Sequence, residues 1–97
     1  MSSLSIAHEA ALRVIQSVVG QAQQVRPDAA LIGESGLVDS MKLVEICLAL
    51  EDESQGLGFS FDWTSDSAMS AARSVFRTAA SLADEFARQW QAASPRA

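Results

Sequence analysis

The stretch Gly36-Leu37-Val38-Asp39-Ser40-Met41-Lys42-Leu43-Val44-Glu45 decides how the rest of the chain reads. A turn-forming glycine leads into two apolar residues, then an Asp-Ser pair, then a run with helical periodicity. This predicts a helix that starts at Ser40 and continues to about Glu53. Both Asp39 and Ser40 suit a helix start, because a short oxygen-bearing side chain accepts from free backbone N–H groups there. If Asp39 takes that role, the Ser40 hydroxyl is spare and can face solvent.

Downstream of Ser40, two apolar stripes share one helix. Leu43, Ile46, Cys47 and Leu50 recur at i, i+3, i+4 and i+7 and should face the core. Met41, Val44 and Leu48 form a second stripe beside it, and Lys42, Glu45, Ala49 and Asp52 fall opposite. The apolar surface is therefore wider than one core contact requires. Either the helix is wedged among three others, or Met41, Val44 and Leu48 are an exposed docking strip. Glu51, Asp52 and Glu53 would lie at the helix C-terminus, where the macrodipole opposes negative charge, a small hint that these acids serve recognition.

Upstream, a first helix is expected from about Ile6 to about Gln21, with Ala7, Ala11, Val14, Ile15 and Val18 inward. Met1 to Ser5 reads as a loose start in which Ser3 or Ser5 caps that helix. His8, Glu9, Arg13 and Gln16 fall on the wet side. Gln21 to Asp39 reads as a long loop, broken by Arg26-Pro27-Asp28 and by Gly33 and Gly36. Leu31, Ile32 and Leu37 would pin it to the core.

Beyond the central helix, Gly56 and Gly58 mark a break, and Gln55 to Thr64 reads as a second loop. Phe59, Phe61 and Trp63 alternate with polar residues there, a pattern shared by strands. With no second strand to pair with, an extended loop whose aromatics plug the core is the better reading. Ser65 or Asp66 should cap a short third helix near Ser67–Arg73, after which Val75 and Phe76 pack inward. Thr78 should cap a last helix from Ala79 to Ala92, with Ala79, Leu82, Ala83, Phe86 and Trp90 inward. The tail Ser94-Pro95-Arg96-Ala97 is expected to fray. The fold expectation is thus all-α, a single domain over residues 1–97, ordered over about 6–92. It is a four-helix bundle with three longer helices, a short third helix and a long loop between the first two.

Composition narrows the function classes. At 97 residues and 48 % hydrophobic, the chain has the material for one core and no more. The net charge of −5 disfavours nucleic acid, whose phosphates it would repel, and favours partners with basic patches. Cys47 is the single cysteine and His8 the single histidine, so a zinc site or a Cys-His catalytic pair is not expected. Ser40 as a hydrolase nucleophile would need His8 as its base, and no G-x-S-x-G elbow is present. The start of the chain is not a basic-then-apolar leader and no apolar run is long enough to span a bilayer, so a cytoplasmic protein that is not integral to a membrane is expected.

The order of elements, with Asp39-Ser40-Met41 at the start of the second helix, resembles the acyl carrier protein family. The likeness covers about Ile6 to Trp90 and includes Leu37 before the triplet, the two-stripe helix after it, and Phe76, Thr78, Leu82 and Phe86 near the end. The resemblance implies that Ser40 carries a 4′-phosphopantetheine arm derived from coenzyme A. It implies that Asp39 helps to position the modifying phosphopantetheinyl transferase, and that Met41, Val44, Glu45, Leu48 and Asp52 form a partner-recognition helix with Asp39 at its head. An apolar cargo would enter between helices at Val44, Cys47, Leu48, Leu50, Phe59 and Phe76, and no catalytic or metal residue is implied. Further implied partners are an acyl- or aminoacyl-activating ligase and acyltransferase or synthase enzymes with basic docking patches, acting on a monomer. Gly36 lies one residue earlier than the family's usual glycine, so the attachment motif is more like the D-alanyl carrier variant. The longer Ser40–Thr78 interval, Arg73, Arg77 and Lys42 also depart from the fatty-acid carriers. These departures point to a specialised lipid or secondary-metabolite pathway. An aminoacyl or peptidyl carrier is the alternative, and a non-covalent helical adaptor binding through Met41, Val44 and Leu48 is the other.

Overall fold

The computed structural model describes residues 3–20, 25–26, 28–31 and 38–93, with residues 3–5 and 40 described by backbone alone. Four helices follow in order: α1 (Ser3–Val19), α2 (Ser40–Leu57), α3 (Asp66–Val75) and α4 (Ala79–Ala93). The architecture is the all-α four-helix arrangement expected, with α3 the short member. The turns expected at Pro27, Gly33 and Gly36, the anchors Ile32 and Leu37, Met1, Ser2 and the tail Ser94–Ala97 lie outside the described residues.

Helix α1 begins three residues earlier than its periodicity indicated and ends two residues sooner. Gly20 takes φ +98 and donates its N–H to the Gln16 carbonyl at 2.9 Å, which closes the helix before Gln21. Gln16 is not a solvent-facing bystander. Its side chain donates to the Gly20 carbonyl (2.7 Å) and accepts from the Val25 N–H (2.8 Å), tying the helix end to the loop that follows. Ala7, Ala11 and Ile15 are buried as the stripe predicted, with Val14 and Val18 half-buried at its edge.

Alanines dominate the buried faces of α1 and α4, and these two helices share the most extensive contact in the molecule; α2 packs next on α1. Small side chains let neighbouring helix axes approach closely. His8 on α1 meets Asp84 on α4, Nε2 to Oδ1 at 2.9 Å, at the edge of this contact. The core centres on Phe86, which meets Phe59 edge-on at 5.1 Å and Phe61 in a tilted arrangement at 5.4 Å. Such pairs add about 0.5–1.5 kcal/mol each beyond simple area burial. The aromatic loop therefore plugs the core without forming a strand.

Helix α2 runs to Leu57, four residues past the expected end at Glu53, and Gly56 lies inside it. The terminator is Gly58, at φ +93, a left-handed conformation in which side-chain-bearing residues are strained. Ser54 explains the extra turn. Its buried hydroxyl donates to the Glu51 carbonyl (2.6 Å) and accepts from the Phe61 N–H (2.9 Å). The Leu57 carbonyl accepts from the Trp90 indole at 3.0 Å. With Ser54–Leu57 as its last turn, the dipole conflict expected at Glu51, Asp52 and Glu53 is weakened, since it fades within about one turn. Glu51 is half-buried and accepts from the Trp63 indole at 2.8 Å, so of the three acids Asp52 is the one that lies exposed.

Helix α3 is capped by Ser65, whose hydroxyl accepts from the Ala68 N–H, and runs two residues beyond Arg73. Thr78 caps α4 through Ser81, whose N–H donates to the Thr78 hydroxyl at 3.0 Å. One antiparallel bridge joins Ala30 to Thr78. Leu31 donates to the Arg77 carbonyl and Ala79 to the Ala29 carbonyl, both at 3.0 Å. Val38 in turn donates to the Leu31 carbonyl at 3.0 Å. The buried Leu31 thus ties the approach to α2 to the start of α4.

Candidate functional site at the start of α2

Val38 is buried and held by Leu31, so the chain enters α2 from a fixed point. Asp39 follows in an extended conformation (φ −89, ψ −178) and is the N-cap. Its carboxylate accepts from the Lys42 N–H at 2.8 Å, and its carbonyl accepts from the Leu43 N–H at 2.9 Å. The capping duty therefore belongs to Asp39, and Ser40 is the first helical residue. The Ser40 side chain lies outside the described part of the structure.

The helix face beyond Ser40 is open. Met41 is 79 % exposed, Val44 44 % and Leu48 53 %, so the second apolar stripe is a surface strip and not a wedge. Glu45 and Asp52 are exposed beside it. Lys42 leans on Glu45 at 3.3 Å, a solvent-exposed pair of small energetic weight. The first stripe behaves as expected: Ile46, Cys47 and Leu50 are buried and Leu43 is half-buried.

Cys47 offers no chemistry in this setting. Burial, with a smaller contribution from the Glu51 charge, pushes its thiol up to about 12, so it stays protonated at neutral pH and is not a nucleophile. No group of three His, Cys, Asp or Glu side chains capable of holding a metal occurs among the described residues.

Of the six residues expected to surround an apolar cargo, the structure brings two together. Phe59 and Phe76 line a cavity of about 570 Å³ between the aromatic loop, α3 and α4. Val44 and Leu48 lie on the outer face of α2, Cys47 and Leu50 are packed beneath it, and none of the four lines that cavity. The polar residues at this second site, Asp62, Glu85, Arg88 and Gln89, were not singled out from sequence. The Glu85-Arg88-Gln89 spacing of i, i+3 and i+4 signals mutual pairing on one helix face, but does not reveal the void beside it.

Set beside known proteins, the chain has no match among family models, curated proteins or solved structures. Among the described residues no helix is long and apolar enough to cross a membrane.

Proposed function

We propose that the protein is a carrier whose Ser40 is modified with 4′-phosphopantetheine and which presents an acyl group to partner enzymes. The observation that carries this reading is the division of labour at the start of α2. Asp39 caps the helix, so Ser40 is not needed for that purpose, and an exposed apolar strip with flanking acids begins immediately beyond it.

The residues present suit the group. A phosphodiester on Ser40 would sit at a helix N-terminus, where the macrodipole favours negative charge. Asp39 adds like charge there, but its carboxylate is engaged by the Lys42 amide. When bound, the arm supplies a thiol that holds a carboxylic acid as a thioester. In the modification step the Ser40 oxygen forms a bond to phosphorus and the pyrophosphate bond of coenzyme A breaks. The adenosine bisphosphate leaves, and the serine proton passes to a base of the transferase or to solvent.

The chain's own residues otherwise supply docking. Met41, Val44 and Leu48 offer apolar contact, and Glu45 and Asp52 offer charge to a basic partner surface. The favoured cargo is an acyl chain of a specialised lipid or secondary-metabolite pathway, with an aminoacyl group as the alternative.

The test is the intact mass of the protein before and after incubation with coenzyme A, Mg²⁺ and a broad-specificity phosphopantetheinyl transferase. The expected result is a gain of one phosphopantetheine unit on the wild type and none on Ser40→Ala. No gain with several transferases overturns the reading and leaves the exposed strip as the surface of a non-covalent adaptor.

A further inference from the structure

The cavity between the aromatic loop, α3 and α4 is a site of its own. It measures about 570 Å³, within the roughly 300–1,000 Å³ usual for small-molecule pockets. Phe59, Phe61, Trp63 and Phe76 line it, four of the six aromatic side chains in the chain. The void has a local cause. Helix α3 contributes no buried residue, and toward the cavity it offers Ser67, Ala68, Ala71 and Val75, mostly small side chains that leave the space open.

The rim decides what such a site takes. Arg88 lays Nε and Nη2 on the two Glu85 oxygens at 2.8 and 2.6 Å. Gln89 donates to Glu85 (2.9 Å) and to the Asp62 carbonyl (2.9 Å), and accepts from the Asp62 N–H (2.7 Å). The Asp62 carboxylate accepts from the backbone N–H groups of Thr64 and Ser65 and from the Ser65 hydroxyl. Each charged or amide side chain at the rim thus already has a partner within the protein. A charged ligand would lose hydration there and find the rim engaged. An uncharged ring system loses little and gains apolar burial and ring-to-ring contact.

We propose that this cavity is a binding site for a small, uncharged aromatic molecule, and that it works independently of Ser40. Phenylnaphthylamine and anilinonaphthalene sulfonate test this well, because they share a ring scaffold and the second adds an anionic group. Fluorescence titration of the whole chain should give saturable one-to-one binding of phenylnaphthylamine, at least about tenfold tighter than binding of the sulfonate. Ala68→Phe should weaken it by at least about tenfold, by filling the void. Ala71→Phe, at a more exposed position of α3, serves as a second filling variant, and circular dichroism checks that both keep their helices. Ser40→Ala should bind unchanged. Amide shift changes in the NMR spectrum should fall on residues 59–76 and 85–93. The proposal is overturned by absence of saturable binding, by tighter binding of the sulfonate, by binding that survives both filling variants, or by shifts centred on residues 41–52, which would move the probe to the exposed strip of α2.

Discussion

Asp39 and Ser40 are adjacent, chemically similar as caps, and different in consequence. The structure assigns the cap to Asp39, so removing its carboxylate should cost about 1 kcal/mol of stability. Asp39→Ala should lower the urea midpoint accordingly, while Asp39→Ser should retain most of the stability by capping with a hydroxyl. If Asp39→Ala has no effect on the midpoint, Asp39 is not the cap and Ser40 loses its freedom. Cys47 gives a prediction in pH. Its folded thiol titrates near 12, well above an unfolded thiol, at about 8.5. Below that lower value both states hold the proton and stability is unaffected. As pH rises between the two values the unfolded chain ionises first, so stability falls, with a limiting slope of about 1.4 kcal/mol per pH unit. Urea midpoints measured upward from pH 8 should show this decline, and Cys47→Ala should remove its share of the slope.

At the scale of elements, the starts of α2, α3 and α4 were legible to within a residue, whereas the start of α1 and the end of α2 were not. Asp39, Ser65 and Thr78 each announce a helix by a local hydrogen bond that sequence reveals. The end of α2 depends on contacts from distant residues: Ser54 bonded to Phe61, and Leu57 bonded to Trp90. Those partners lie outside a local window, so the helix read as ending near Glu53, ahead of both Gly56 and Gly58, although only Gly58 ends it. The two glycines should therefore answer a methyl group in opposite ways. Neither has an atom within 4 Å of where a Cβ would stand, so packing plays no part. Gly56→Ala should stabilise the protein by about 0.5–1 kcal/mol, the gain of alanine over glycine inside a helix. Gly58→Ala, at φ +93, should destabilise it by about 1 kcal/mol or more. Thermal melts of the pair check the assignment, and stabilisation by both would place the helix end elsewhere.

For the whole molecule, the fold class follows from stripes at three- and four-residue spacing on α1, α2 and α4, whose expected inward residues are buried except for Val14, Val18, Leu43 and Trp90, which are half-buried. Phe86 is where those stripes and the aromatic loop converge, fully buried against Phe59 and Phe61. Phe86→Ala should cost about 3–5 kcal/mol in urea unfolding, a large part of what a small domain has. A loss below about 1 kcal/mol would mean the core lies elsewhere. The cavity beside α3 was not legible, because it arises from how a helix of small residues rests against aromatics brought in by a loop. The surface of α2 was legible as a pattern, and the structure resolves the choice that the pattern left open by exposing Met41, Val44 and Leu48. Under the carrier proposal, that surface serves the residue at its head, Ser40. Trypsin should release that residue within the peptide Val14–Lys42, since cleavage after Arg26 is blocked by Pro27. The peptide also contains Ser17 and Ser35. Fragmentation mass spectrometry of this peptide, after treatment with coenzyme A and a phosphopantetheinyl transferase, is the most direct measurement. The carrier account predicts the added group on Ser40 alone. An unmodified peptide, or a group on Ser17 or Ser35, would contradict it.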